Sequence, residues 1–368
     1  TLPESIMPAV KQGQPCVLLL AGVANSARRR DFAERLRANA IPAMLIDEAL
    51  VAFAAVHRTT RIATLLDCGL PYGRFEPYTT DAGRIPPEMF FGRGNEIREI
   101  MSPSADGCLV YGGRQLGKSA LLNQVATTQH NAAENRIVVR REVMGLGNSE
   151  NASEIWVHLN DMLSPDGVVK PASRDADAVC RDIRAWLHER PAGQIVCMFD
   201  ETDYFMAADT KDDYPQLSKL KQLMEDTNRS FKVVFAGLHN VKRMLRQPNS
   251  PLAHLGRAIC IGPLNRSDDD KRAAHELVIA PMRAAGFRFE SMDAVEKILA
   301  WANFYPSLVQ EYAKGLLSTL HGSGSGRRYS LPEGEPLWVI PTDSLFDHSG
   351  FEAIEAKVRD KFHLTLEL

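Results

Sequence analysis

Short apolar runs alternate with amphipathic stretches through the middle of the chain. Five such runs predict buried strands, at 108–111, 136–143, 194–200, 231–237 and 257–261. Stretches with the helical spacing of apolar residues lie between them, from the loop after the first run to residue 125 and over 149–163, 175–190 and 214–227. Because strands that alternate with helices typically form parallel sheets, the pattern predicts an α/β domain whose sheet is covered on both faces.

The regions on either side of this domain have different patterns. Strands at 16–21 and 43–47 and helices at 28–38, capped by Ser26, and at 48–56 are predicted before a Pro-, Gly- and Tyr-rich connector. Later in the chain, three helical stretches precede a short strand at 337–340 and a helix at 351–362. The predicted organisation is an α/β extension and connector at 1–87, a core domain at 88–266, a helical lid at 267–322 and part of a winged-helix-like module at 323–368.

Composition narrows the class of protein. The chain has 368 residues, 45% of them apolar, and its net charge of -3 excludes a global basic field that attracts nucleic acid or anionic lipid. No apolar run approaches the roughly 20 residues that cross a bilayer, and the N-terminus lacks a signal-peptide pattern. Six scattered cysteines without a CxxC pair favour reduced thiols and a cytoplasmic location. Because the chain begins at Thr1 and ends without a polar tail, we expect a fragment of a longer protein.

A glycine-rich segment follows the first strand of the core domain and precedes a helix. Its sequence GGRQLGKS fits the pattern G-x-x-x-x-G-K-[ST] in full. Glycines let the backbone N–H groups turn around phosphate oxygens, and the helix that follows directs its positive dipole end at them. We predict that Lys118 contacts the β- and γ-phosphates and that Ser119 binds Mg²⁺. The predicted nucleotide-binding residues of this loop are Gly112, Gly113, Arg114, Gln115, Leu116, Gly117, Lys118, Ser119 and Ala120.

An acidic pair ends the strand predicted at 194–200. Asp200 is placed to hold Mg²⁺, directly or through water, and Glu201 to polarise the attacking water as a general base. The alternative is an acidic strand end that merely caps the next helix. The phosphate-binding pattern upstream favours the catalytic interpretation, with Lys118 and Glu201 as its central residues.

Two later positions are further candidates. In additional-strand P-loop ATPases the strand after the acidic one lies between the acidic strand and the phosphate-loop strand, and here it is followed by His239 and Asn240. Either side chain is a candidate for contact with the γ-phosphate or the water, and a helix cap by Asn240 is the alternative. Arg257 is a candidate to neutralise charge on the transferring phosphoryl group, from the same or a neighbouring subunit, with a solvated arginine as the alternative.

Taken together, these residues resemble the AAA+-related signal-transduction ATPases with numerous domains, the STAND class. The sequence FFGRGNE at 90–96 is similar to the F-x-G-R-x-x-E box that opens the ATPase module of prokaryotic members, and VYGGRQLGKS at 110–119 is similar to their phosphate loop. In relatives the box lies beside the adenine, which implies that Phe91 and Arg93 lie near the base. The resemblance covers roughly 88–320, and residues 1–87 lie outside it.

The lid carries a second part of this resemblance. Residues 250–264 are similar to the segment that leads into the family's lid, and ANFYPSLVQ at 302–310 resembles its G-x-P motif, whose proline packs on the adenine. The resemblance implies this role for Pro306, although Asn303 and Phe304 stand where glycines are usual. It also implies a slow bacterial ATPase that binds ATP or ADP with Mg²⁺, switches conformation in signalling or defence, and binds protein partners or itself.

Two other functions compete with the switch. Initiator-like ATPases that bind DNA share the opening box and a winged helix, but they need a basic face to meet phosphates. Residues 330–368 contain eight acidic and three basic residues, which favours protein–protein packing of that module. The other alternative is a scaffold that binds nucleotide without hydrolysing it. The presence of every residue needed for hydrolysis argues against this alternative.

Overall fold

The chain divides into two compact units. One comprises 92–263 with 82–84, and the other comprises 1–81 with 85–91 and 264–368. The computed structural model describes residues 16–24, 43–56, 77–79, 85, 89–102, 107–143, 151–237, 256–284, 287–322, 338–340, 342, 352 and 354–356.

Strands and helices within the described residues follow the predicted order closely. The strands are β1 Cys16–Leu20, β2 Ala43–Asp47, β3 Cys108–Gly112, β4 Arg136–Glu142, β5 Gln194–Asp200, β6 Phe231–Gly237, β7 Arg257–Ile261, β8 Phe287–Phe289 and β9 Trp338–Ile340. The α-helices are α1 Glu48–Val56, α2 Gly94–Met101, α3 Lys118–Gln129, α4 Ile155–Leu163, α5 Ala176–His188, α6 Asp203–Asp209, α7 Pro215–Asp226, α8 Asp268–Ala284, α9 Met292–Trp301 and α10 Pro306–Gly322. Helices α2 and α6 and strand β8 are elements that the sequence pattern did not indicate.

A five-stranded parallel sheet forms the centre of the first unit. Its order is β4-β5-β6-β3-β7, and every neighbouring pair is parallel. Strand β6 therefore lies between the strand that precedes the glycine-rich loop and the strand that ends in Asp200, as predicted. This order is that of an additional-strand P-loop α/β fold, which confirms the predicted fold class.

Helices cover both faces of this sheet. Side chains along a strand alternate between the two faces, so neighbouring positions show what packs on each face. On one face Ile137, Cys197 and Phe199 are buried in a large cluster with side chains of α4, α5, α6 and α7. Val138 and Met198, one position away, are also buried but lie outside that cluster. The face on which they lie is the one against which α3 packs, in contact with β3, β4 and β5.

Short polar side chains fix several helix starts in this unit. The Asp175 carboxylate accepts a hydrogen bond from the Ala178 N–H at 2.9 Å and caps α5. Asp209 is 1% exposed and accepts hydrogen bonds from the backbone N–H groups of Gln216 and Leu217 at the start of α7. These caps satisfy N–H groups that a helix leaves without partners and so set where the helices begin.

The second unit is mainly helical. Side chains of α8, α9 and α10 form its core, together with Tyr78 and Met89 from earlier in the chain. The Tyr78 hydroxyl donates a hydrogen bond to the Val278 carbonyl at 2.8 Å, so part of the predicted connector packs on α8. Strand β8 pairs in parallel with β9. The winged-helix-like module stays a prediction, because most of 323–368 lies outside the described residues.

An α/β piece near the N-terminus matches the predicted strands. Strands β1 and β2 are parallel, and α1 follows β2 directly. Asp47 at the end of β2 accepts hydrogen bonds from the N–H groups of Ala24 and Leu50, and so ties the loop after β1 to the start of α1. The helix predicted at 28–38 lies outside the described residues. None of the helices that can be described is long and apolar enough to cross a membrane.

Candidate functional site

The glycine-rich loop connects β3 to α3 and is shaped by left-handed backbone positions. Gln115 has φ 61° and Gly117 has φ 92°, values that turn the chain sharply before the helix. A side chain at Gly112 would collide with the Ile261 carbonyl oxygen of β7, so glycine is required there for the close approach of the two strands. The loop therefore adopts a turn that ends at the N-terminus of α3, where backbone N–H groups lack helical partners.

Lys118 is the first residue of α3 and lies almost buried, at 7% exposed. Its Nζ donates hydrogen bonds to the carbonyl oxygens of Gly112 and Gly113, both at 3.0 Å. Burial lowers the pKa of the Lys118 ammonium, whereas the negative charges of Glu201 and Asp200 act to raise it. The lysine of the loop and the acidic pair at the end of β5 thus lie within electrostatic reach of each other, although 82 positions of sequence separate Lys118 from Asp200.

Asp200 is the last residue of β5 and is 1% exposed. Its Oδ1 accepts a hydrogen bond from the Glu201 N–H at 3.1 Å, and its Oδ2 accepts one from Arg140 at 2.6 Å. Thr202 anchors the turn that follows, because both its N–H and its hydroxyl donate to the Ala236 carbonyl of β6, at 2.9 and 3.0 Å. The acidic pair is therefore held by groups from both neighbouring strands.

Glu201 occupies a left-handed backbone position, with φ 55°, which is uncommon for a residue with a side chain. Its side chain is half-buried, and burial is the main cause that raises the pKa of its carboxyl group. The charge of Asp200 raises that pKa further, and the charge of Lys118 opposes the shift. A carboxylate with a raised pKa is a stronger base, as general-base catalysis requires.

The residues near α3 fit a magnesium ion. Ser119 offers a hydroxyl oxygen from the first turn of α3 and Asp200 a carboxylate, and hard oxygen ligands of this kind suit Mg²⁺. Among the residues that the structure describes, no group of three His, Cys, Asp or Glu side chains could hold a metal. A magnesium ion usually keeps several waters and substrate phosphate oxygens, so two protein ligands are sufficient.

Arg93 lies against the glycine-rich loop. It is 4% exposed and its backbone is left-handed, with φ 62°. The guanidinium donates hydrogen bonds to the carbonyl oxygens of Leu116, at 3.4 Å, and of Gly262, and it pairs with Glu96. Arg93 therefore ties the loop to the end of β7, a contact that the sequence did not predict. Its role beside a base stays a prediction.

Phe91 and Pro306 belong to the helical unit. Phe91 packs against the hydrophobic core formed by α8, α9 and α10, and Pro306 is the first residue of α10. Asn303 and Phe304 have left-handed backbone angles, φ 44° and 56°. These are the positions where the resembling family has glycines, so the turn before Pro306 has the backbone that glycine adopts readily. Contact of either predicted residue with nucleotide stays a prediction.

The two remaining candidates are only partly open to description. His239 and Asn240 lie outside the described residues. Arg257 begins β7, where it pairs with Cys108 of β3, and its side chain is not among the described parts. Their proposed contacts with the phosphoryl group stay predictions.

Arg140 is the site residue that sequence reasoning missed. It contacts Asp200 from β4, the strand beside β5 in the sheet. The available signal was a pair of arginines after the apolar run in the strand sequence RIVVRRE, the strand that precedes the acidic strand in the chain. Without the strand order, nothing in that sequence connects the arginine with an acid 60 residues away.

Comparisons with known proteins give distant structural likenesses. A Walker-type ATPase of Pyrococcus abyssi is 14% identical, with a TM-score of 0.49 over 77% of this chain and 78% of that chain. The ORC1 protein of Aeropyrum pernix in complex with DNA is 13% identical, with a TM-score of 0.43 over 73% and 66%. Domain III of the Thermotoga maritima replication initiation protein DnaA is 12% identical, with a TM-score of 0.38 over 66% and 91%. No family model and no curated protein matches this sequence.

Proposed function

We propose that this protein binds ATP with Mg²⁺ and hydrolyses it slowly to ADP and phosphate. The observation that carries the proposal is that Lys118, in the loop after β3, lies within electrostatic reach of Asp200 and Glu201, at the end of the parallel strand β5. Gly112–Ala120 would surround the phosphates, and Ser119 and Asp200 would hold the metal. Bound there, Mg²⁺ supplies charge neutralisation on the phosphate oxygens.

The chain's own residues account for the remaining chemistry. The Lys118 ammonium, held against two carbonyls of its own loop, would exchange them for phosphate oxygens, which carry more negative charge. The Glu201 carboxylate would take a proton from water as the water oxygen bonds to the γ-phosphorus. The bond between that phosphorus and the bridging oxygen breaks, and ADP leaves with the electron pair. Asn240 and Arg257 are proposed to assist at the phosphoryl group.

We further propose that hydrolysis serves a conformational switch in signalling or defence. The support is the sequence resemblance to switch ATPases and the left-handed turn before Pro306, whose proline would pack on the adenine together with Phe91. Protein partners or self-association would then depend on the nucleotide. Cys108, Cys180 and Cys197 are buried, and burial raises the pKa of each thiol, which makes these thiols poorly reactive. The proposed cytoplasmic location rests on the sequence alone, in which six scattered cysteines include no CxxC pair.

The experiment that tests the proposal measures ATP binding and phosphate release with and without Mg²⁺. Wild-type protein should bind ATP, turn it over slowly with Mg²⁺, and change its elution volume between ADP and a non-hydrolysable ATP analogue. Lys118→Ala should weaken binding by about a hundredfold, because it removes the charge partner of two phosphates. Arg136→Ala, which replaces a partly exposed cation at the far end of β4, is the matched control and should bind normally.

Each negative result has a definite meaning. Binding that is as tight in Lys118→Ala as in wild type would overturn the assignment of the loop. Binding without turnover would favour the nucleotide-binding scaffold. A shift on duplex DNA that weakens with salt would favour the initiator-like alternative over the switch.

A further inference from the structure

Arg140 joins two elements that carry the proposed magnesium ligands. Its Nη2 donates a hydrogen bond to Asp200 Oδ2 at 2.6 Å, and its Nη1 donates one to Asn123 Oδ1 at 2.9 Å. Asp200 ends β5, and Asn123 lies on α3. A planar guanidinium with fixed donors is suited to hold two acceptors in a defined relative position.

The helix period places this bridge directly beside the first turn of α3. Asn123 follows Ser119 by four positions, so the two side chains lie on the same face of the helix. The strand period places Arg140 and Asp200 on the sheet face that α3 covers, two positions from Val138 and Met198 respectively. The guanidinium therefore spans the Asp200 carboxylate and the Asn123 side-chain oxygen, one helical turn from Ser119.

The Asp200 carboxylate is fixed at both oxygens. Oδ2 accepts from Arg140 and Oδ1 accepts from the Glu201 N–H. Each carboxylate oxygen can accept a second bond, so these contacts orient the group without using its capacity to bind a cation. The group is almost completely buried, and only a small reorientation is open to it.

Packing alone does not explain an arginine at this position. Its Nε is buried, and within the described residues it has no hydrogen-bond partner, which costs stability. An apolar side chain in the same strand would avoid that cost. The two contacts made by the terminal nitrogens are what an apolar residue cannot supply.

We propose that Arg140 is a positioning residue for magnesium: it holds the Asp200 carboxylate in register with Ser119 through Asn123. The proposal rests on the proposed nucleotide-binding function and adds a residue that acts through Asp200 without touching the metal. The increase in nucleotide affinity that Mg²⁺ produces would then depend on Arg140 of β4, although β4 contains no predicted metal ligand.

The test compares the affinity for a fluorescent N-methylanthraniloyl-ADP in EDTA with its affinity in Mg²⁺. We expect Mg²⁺ to tighten binding to wild-type protein and Arg140→Ala to reduce that gain by about tenfold, the range seen when partners of metal ligands are removed. Affinity in EDTA should stay within about twofold of wild type. Asn123→Ala should reduce the gain less, and Asp200→Asn should abolish it.

Two variants test whether the effect of Arg140 comes from its position and geometry or only from its positive charge. Arg141→Ala is the control, because Arg141 lies next to Arg140 on the opposite face and pairs with Asp161 at 3.2 Å. It should keep the full gain. Arg140→Lys keeps the charge, but one nitrogen cannot span both acceptors, so it should restore the gain only in part. If Arg140→Ala does not fold, Asn123→Ala and Arg140→Lys still decide the question.

The outcomes are distinct. A normal magnesium gain in Arg140→Ala would overturn the proposal and leave Arg140 as a structural tie only. A larger gain would also overturn it, because Arg140 would then compete with the metal for Asp200. If wild-type protein gains nothing from Mg²⁺, the proposed function fails together with this proposal, whereas a wild-type gain that survives in Arg140→Ala sinks this proposal alone.

Discussion

The two halves of the candidate site are held in different ways. In the glycine-rich loop the contacts of Lys118 go to Gly112 and Gly113, within the same short segment. At the acidic edge, Asp200 is held by Arg140, 60 residues away, and Thr202 is held by Ala236, 34 residues away. The hydrogen bonds of Lys118 thus stay within the loop, which Arg93 ties to the end of β7, whereas the bonds at the acidic edge join separate strands of the sheet.

This difference teaches that one half of the site depends on local backbone conformation and the other on sheet assembly. A change in the loop should affect nucleotide binding with little effect on the fold. A change at the acidic edge should affect catalysis and, where it leaves a buried charge unpaired, stability as well.

The sharpest test of the acidic edge is the turnover of Glu201→Gln. We expect a fall of about a thousandfold in the rate of hydrolysis, because an amide cannot take the proton of the attacking water. ATP affinity should stay near that of wild type, since the loop is unchanged. Single-turnover phosphate release and equilibrium ATP binding measure the two effects separately.

Glu142→Gln is the matched control for that variant. Glu142 ends β4 opposite Asp200 and is exposed, and its charge contributes to the raised pKa of Glu201. It should keep most of the turnover. Equal rates in wild type and Glu201→Gln would contradict the general-base assignment.

Stability without nucleotide should separate the two halves by a smaller effect. Asp200→Ala leaves Arg140 without its carboxylate partner and should lower the free energy of unfolding by about 3 kcal/mol. Lys118→Ala removes two hydrogen bonds to loop carbonyls and should cost about 1 kcal/mol or less. Urea unfolding of both variants, followed by fluorescence, compares them under the same conditions.

The test depends on the difference in unfolding free energy between Asp200→Ala and Lys118→Ala, and a double variant checks its cause. Arg140→Ala combined with Asp200→Ala should be less destabilised than the sum of the single changes, because the second change removes the unpaired charge. Equal losses in Asp200→Ala and Lys118→Ala would show that the acidic edge is not held more firmly than the loop.

The pH profile of kcat/KM should have an acidic limb set by Glu201 of the acidic edge and a basic limb set by Lys118 of the loop. The raised pKa of Glu201 means that the general base becomes protonated, and activity falls, at a pH above the ordinary range of a glutamate. The lowered pKa of Lys118 means that its charge is lost, as pH rises, below the ordinary range of a lysine. The profile should therefore be bell-shaped and narrower than unperturbed groups would give.

Each limb has its own variant. Glu201→Gln should lose the acidic limb in whatever turnover it retains, whereas Glu142→Gln should keep it. An acidic limb that is unchanged in Glu201→Gln would assign that limb to another group.

Much of the fold followed from the sequence, which also proposed most residues of the candidate site. The strand before the loop and the strand that ends in Asp200 were predicted because buried parallel strands give unbroken apolar runs. The left-handed turn before Pro306 was not predicted, since Asn303 and Phe304 replace the glycines that usually indicate such a turn. Strand β8, only three residues long, is too short for a period to be recognised.

The sequence by itself indicated the candidate phosphate loop and the candidate acidic pair, because each is a short run of neighbouring residues that a local pattern can identify. Only the tertiary structure decided that Arg140 donates hydrogen bonds to both Asp200 and Asn123 and that Arg93 donates one to the carbonyl of Leu116. These contacts depend on which strands are neighbours, on their register and on the face each side chain occupies. Such relations join segments far apart in the chain, and no local pattern encodes them.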